Sequence, residues 1–291
     1  MKHYRLEQAE KNVFAVHQVI YSNSDIEMWF DWNTRLNDTK FTDQCYWIMS
    51  DEDRIGGIVR LDDTLMYPFM IPPFSDRQLM WRILLNCCED IKNINGVLQD
   101  DVNILLSLGF GVNVIRQVMC CPTGASKKSV IPDGMSVYLL DDSLDLTKIS
   151  NVMKEGYRGG IDYEVFGVPS DEKIIEDLSY LLKVYKHRNL SIYVVNEQNQ
   201  EIVGLCIAGI SKNMPLGFAE IGELCVVPKY RNKGIAEFML NYIKEAANPY
   251  TEVVKLCVTV GNFAEILYKK TGFQAGPRFA RMTRRLHMKE G

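Results

Sequence analysis

The chain lacks the marks of several large protein classes. Only four of its 291 residues are histidine, and its eight cysteines form no C-x-x-C pair, so the spacing of a zinc site is missing. No apolar run approaches the ~20 residues that a membrane-spanning helix needs. The start, MKHYRLEQAEKN, is polar and holds no apolar signal core. Basic residues are not in excess. Lys and Arg number 33 against 37 Asp and Glu, a net charge of -4, which offers nucleic acid no broad surface. A local cluster of Arg278, Arg281, Arg284 and Arg285 reads as the solvated face of a last strand. The expectations are no membrane partner, no nucleic acid, no bound metal, and a cytoplasmic protein with reduced cysteines.

What is present is an ordinary folded composition, 47% hydrophobic and 24% charged. The length exceeds one typical core, so two domains are expected. A stretch rich in Pro, Gly, Ser and Lys, PTGASKKSVIPDG at 122–134, divides the chain into 1–121 and 135–291. The two parts read as distant copies. Tyr46 opens YWIMSDEDRIGGI and Tyr193 opens YVVNEQNQEIVGL, each an apolar stretch, a polar tip and a second apolar stretch, as in a β-hairpin. Ile55 and Ile202, then Gly57 and Gly204, keep the same spacing from the tyrosine. Further on, Gly109-Phe110 and Gly272-Phe273 each end an apolar helix, with glycine placed for a left-handed C-terminal turn. The same order in both parts makes duplication the better reading.

In the second half, strands are expected at 136–140, 191–195, 202–210, 219–227, 253–260 and 278–285. Helices are expected at 146–156, 173–186, 235–246 and 263–270. Strands alternating with helices, with one hairpin, indicate a mixed α/β sheet. The stretch GFAEIGELCVVPKYRNKGIAEFML passes from an apolar strand through a basic turn into a helix. Pro228 ends strand pairing because it offers no N–H. Free amides at a helix N-terminus, with the helix dipole behind them, suit an anion such as a diphosphate. Gly234 lets phosphates approach the backbone, Ala236 is small, and Arg231 and Lys233 add positive charge.

Arg231-Asn232-Lys233-Gly234-Ile235-Ala236 resembles the Q/R-x-x-G-x-G/A acetyl-CoA motif of the GNAT superfamily of N-acetyltransferases. The stretch from Asn262 to Phe273, NFAEILYKKTGF, resembles the next family motif, N-x-x-A-x-x-L-Y-x-x-x-G-F. The resemblance covers about 150 residues and implies two GNAT-like domains in tandem. It implies an enzyme that moves an acetyl group from acetyl-CoA, the acyl donor, to a primary amine, with a small molecule expected before a protein. Pantetheine would enter between two splayed strands and pair near Cys225, Val226 and Val227. An amide near Val226 or Val227 would polarise the thioester carbonyl. Asn262 would bind the cofactor at the mouth of the splay or cap its helix. Tyr268 would protonate the leaving thiolate.

The base is left open between Glu220 and Glu223. Three apart on a strand, they face opposite sides unless a bulge intervenes, and Gly222 between them marks the place for one. Cys257 stands where members that acetylate peptide N-termini carry a glutamate, which argues against that substrate. The loop from Gly156 to Glu164, with Tyr157, Asp162 and Tyr163, falls where the family lines its acceptor site. In the first part, Leu105 and Gln99 take the places of Tyr268 and Asn262, and IPPFSDRQLMW has no glycine at its turn but an acidic Asp76. That part is expected to be a degenerate copy that has lost CoA binding. The aromatic cluster Trp29, Phe30 and Trp32 is expected to pack in its core. A silent acyl-CoA sensor is the competing function, and the oligomeric state stays open.

Overall fold

The computed structural model describes residues 2–22, 43–124, 130–140, 145–211 and 217–285. Trp29, Phe30 and Trp32 lie outside the described residues. The chain forms two compact units, Met1–Gln117 with Pro277–Gly291, and Val118–Gly276.

In the first unit the elements are β1 (Tyr4–Gln8), α1 (Lys11–Tyr21), β2 (Cys45–Ser50), β3 (Asp53–Leu61), β4 (Thr64–Met70), α2 (Arg77–Cys87), β5 (Asn93–Leu98), α3 (Gln99–Ser107) and the start of β6 (Phe110–Pro122). β1–β2, β2–β3 and β3–β4 pair antiparallel, and β4–β5 pair parallel. Trp81, Leu84, Ile94 and Phe110 are fully buried in one core cluster, and Phe14, Trp47 and Phe69 pack in another.

The second unit repeats the plan. It holds β7 (Met135–Leu139), α4 (Leu146–Tyr157), α5 (Ile161–Phe166), α6 (Asp171–Val184), β8 (Tyr185–Lys186), β9 (Ile192–Asn196), β10 (Glu201–Ser211), β11 (Ala219–Val226), α7 (Ile235–Ala247), β12 (Val253–Thr259) and α8 (Ala264–Lys270). β7–β9, β9–β10 and β10–β11 pair antiparallel, and β11–β12 pair parallel. The senses follow the same order as in the first unit, as a duplication requires. Both hairpins form where the tyrosine-led repeats place them, and Gly109 and Gly272 have φ of 88° and 97°.

Helices cover both faces of this sheet. Gly204 of β10 faces Ile235 and Met239 of α7, whereas Gly209, five residues along, faces the ring of Tyr185. On that second side α4 lands on β11. A Cβ at Gly156 would stand 2.7 Å from Cys225 Cβ, so glycine there sets how closely helix and strand approach.

The last strand differs from the expected one. β13 runs Gln274–Arg284, starting four residues before the expected 278. Gly276 makes this possible, because a Cβ there would meet the Val118 carbonyl oxygen at 3.2 Å. From Pro277 onward the strand belongs to the first unit, where Phe279 and Ala280 stand against Leu98 and Val97 of β5. The second unit therefore spans Val118–Gly276, not 135–291. Alternation of residues defines a strand, but the strand's partner is set by tertiary packing. Among the described residues no helix is long and apolar enough to cross a membrane.

Candidate functional site

β11 and β12 are partners over only three residue pairs, Ala219–Val254, Glu220–Lys255 and Ile221–Leu256. Beyond them the strands part. The parting begins at a bulge, because Ile207 and Ala208 of β10 stand opposite Glu223 and Ile221, leaving Gly222 as the extra residue. The bulge brings both glutamates to the face covered by α4 and β8, where burial, then the charges of Glu220 and Glu223, push the Tyr185 phenol well above its ordinary value.

Their settings differ. Glu220 Oε1 is 3.1 Å from Lys255 Nζ, and the two side chains are 15% and 4% exposed, so a buried ammonium balances this carboxylate. The Tyr185 hydroxyl donates to its other oxygen at 3.5 Å. Glu223 Oε2 instead accepts from the Tyr157 hydroxyl at 2.5 Å. Burial, then the charge of Glu223, pushes the Tyr157 phenol well above its ordinary value, and Tyr268 is close enough to add to this. Burial likewise pushes the Cys225 thiol far up, so it is no nucleophile at neutral pH. Tyr268 is buried, with its ring 5.9 Å from Phe273.

The turn between β11 and α7 is built by its backbone. Pro228–Tyr230 forms one 3-10 turn, Asn232 has φ 60°, and Gly234 has φ 82° at the N-cap. No side chain caps α7, so its first amides point outward unclaimed by a cap. Tyr230 anchors the turn from below. Its hydroxyl donates to Glu201 at 3.0 Å, and Lys229 and Lys233 lie over its ring. Arg231 reaches across the mouth of the parted strands. It donates to the carbonyls of Val226 at 3.2 Å and Gly156 at 2.6 Å, and its guanidinium lies 5.4 Å from the Phe263 ring.

The Val226 carbonyl accepts from Arg231, so it points away from β10. Val227 N–H is already committed to the Val203 carbonyl at 2.9 Å. Of the two amides expected to meet a thioester, Val227's is engaged. Asn262 stands two residues before Ala264, one fewer than in the motif it resembles, and Gly261 holds the motif position. Its Oδ1 accepts from Ala264 N–H, the first amide of α8, at 2.9 Å, and its amide donates to Asp162 at 3.1 Å. Asp162 also accepts from Thr259 at 2.6 Å, tying α5 to the end of β12. Lys233, Ile235 and Ala236 lie in or beside the α7 turn as expected, Ile235 with its side chain buried.

Sequence reading did not single out Lys255, Tyr230 or Tyr185, and it left Tyr157 and Asp162 as general loop residues. A charged residue inside the apolar run VVKLCV was the one available signal for Lys255. The same places in the first unit are filled. Its β4 carries the equivalent bulge at Tyr67, whose ring stands 2.2 Å from where a Cβ on Gly96 of β5 would lie. Its α2 is capped by Asp76, which accepts from Leu79 N–H at 2.9 Å.

Known proteins share this fold. Residues 188–275 match the family described as Acetyltransferase (GNAT) domain. A GCN5-related N-acetyltransferase from Sphaerobacter thermophilus is similar at 16% identity and TM-score 0.70, covering 97% of this chain and 94% of its own. A tandem GNAT protein from the clavulanic acid biosynthesis pathway is similar at 11% identity and TM-score 0.59, covering 97% and 98%. A GNAT-family acetyltransferase from Colwellia psychrerythraea is similar at 14% identity and TM-score 0.59, covering 97% and 100%. No curated protein matches the sequence significantly. At these identities the solved structures speak to fold, which is that seen in tandem GNAT proteins, and residues 188–275 of the second unit are similar to a GNAT acetyltransferase domain.

Proposed function

We propose that the protein is an N-acetyltransferase that takes its acetyl group from acetyl-CoA and delivers it to a primary amine of a small molecule. The observation that carries this reading is the uncapped N-terminus of α7 beside a three-residue strand pairing that opens into a gap. The fit of an acyl-CoA rests on residues already described. Amides of Gly234, Ile235 and Ala236, with Asn232 and Lys233 beside them, suit a diphosphate. The edge of β11 from Cys225 to Val226 is left without a β12 partner and suits the amides of a pantetheine arm. Acetyl-CoA supplies an activated thioester.

The chain's own residues do the rest. Glu223 takes a proton from the acceptor ammonium, since a free alkylamine titrates near ~10 and is charged at neutral pH. Glu220 is less suited, because Lys255 already neutralises it. Val226 N–H, turned toward the gap, steadies negative charge on the carbonyl oxygen. The neutral amine attacks and the C–N bond forms; as the C–S bond then breaks, Tyr268 gives its proton to the departing thiolate and regains one from the newly bonded nitrogen. Asn262 holds the acceptor loop through Asp162 and shares the mouth with Arg231. The first unit takes no CoA, because Tyr67 fills its gap and Asp76 caps its helix.

The test is thiol release from acetyl-CoA with a panel of primary amines, beside calorimetric binding. Amine-dependent release supports the reading. Tight binding with no release for any amine supports a silent sensor instead.

A further inference from the structure

Glu223 is not oriented by β11 alone. Tyr157, the last residue of α4, reaches it across 66 positions of sequence, with Leu224 carbonyl as a second acceptor at 3.4 Å. We propose that Tyr157 is a positioning residue for the base: its hydroxyl holds the Glu223 carboxylate in the orientation and ionised form that accept the acceptor's proton. The proposal rests on the acyl-transfer reading above.

The geometry is specific. Tyr157 reaches Glu223 only because Gly156 lets α4 settle on Cys225, whose Sγ would lie 2.9 Å from a Cβ at 156. Arg231 clasps the Gly156 carbonyl and fixes the same helix end to the cofactor turn. The other glutamate meets the Tyr185 hydroxyl at 3.5 Å and is paired with Lys255. Among the described residues, the groups facing this cluster are Tyr163 of α5, Tyr185 of β8, Cys206 of β10, Glu220 and Cys225 of β11, Tyr268 of α8, and Arg231. The Tyr157 phenol keeps its proton throughout the working range, so it donates to Glu223 and does not relay. A donated hydrogen bond favours the charged form of a carboxylate. In the transfer step the amine's proton passes to Glu223, while Tyr157 keeps its own.

The test uses the full chain and two readouts. Carboxyl-carbon NMR follows Glu223 directly, with Glu223→Gln assigning its signal. In Tyr157→Phe the Glu223 titration moves to higher pH. With an amine that the native protein acetylates, kcat falls roughly tenfold to a hundredfold, because the carboxylate is no longer held toward the amine. The acid limb of the profile moves the same way, and acetyl-CoA affinity holds. In the Glu223→Gln background Tyr157→Phe costs no further turnover, because the two act as one unit. If Tyr157→Phe does not fold, fluorotyrosine at 157 keeps the shape, donates more strongly and moves the titration to lower pH. An unmoved Glu223 titration in either variant overturns the proposal. If the native protein acetylates no amine, the functional reading fails, and the titration still decides whether Tyr157 governs Glu223.

Discussion

Gly234→Asp turns the start of α7 into what α2 already has, a helix capped by its own carboxylate. Space permits it, since a Cβ at Gly234 meets nothing nearer than Pro132 Cγ at 3.8 Å. The left-handed backbone, φ 82°, costs a side-chain-bearing residue roughly 1–2 kcal/mol. A capping carboxylate gives back about 0.5–2 kcal/mol. Net stability changes little, so the melting temperature moves by only a few degrees. Cofactor binding changes much more. Each amide bond to a charged group is worth roughly 1.5–3 kcal/mol, and the new carboxylate both occupies such amides and repels phosphate. Losing two amides weakens acetyl-CoA by roughly 3–6 kcal/mol, on the order of 10²- to 10⁴-fold in Kd. Gly234→Ala adds the strain without the charge and loses less. Calorimetry on both variants, beside thermal melts, measures this. A folded Gly234→Asp protein that binds acetyl-CoA as tightly as the native one would refute the assignment of the turn.

Other outcomes follow from the same geometry. Tyr268→Phe lowers kcat by on the order of 10²- to 10⁴-fold and leaves acetyl-CoA affinity intact, as steady-state kinetics and calorimetry will show together. The two glutamates separate by readout: Glu223→Gln loses turnover in a stable protein, whereas Glu220→Gln removes the carboxylate that balances the buried Lys255 ammonium and costs about 3 kcal/mol in denaturant unfolding. Equal stabilities for the two would contradict the pairing. Calorimetric stoichiometry is one acetyl-CoA per chain, and a value near two would show that Tyr67 and Asp76 do not close the first unit.

What could be read in the sequence was local. The basic turn before α7, the hairpins after Tyr46 and Tyr193, and the glycines after α3 and α8 each depend on residues within a few positions, where Gly and Pro leave strong marks. The bulge at Gly222 was legible only as a condition, because a bulge is defined by the partner strand. The pairs that shape the site join distant residues: Tyr157 with Glu223, Glu220 with Lys255, and Asp162 with Asn262, 100 positions apart. Periodicity carries no information on which polar residues meet once strands and helices pack. For the same reason β13 was legible as a strand and not as a neighbour of β5. Asn262 shows the opposite error, in which a matching residue type drew attention from a spacing one residue short.

The most direct measurement is mass spectrometry of primary amines incubated with the protein and acetyl-CoA. The account predicts an amine that gains one acetyl group at its nitrogen, with free CoA formed in equal amount. A protein that binds acetyl-CoA yet leaves every amine unmodified would contradict it.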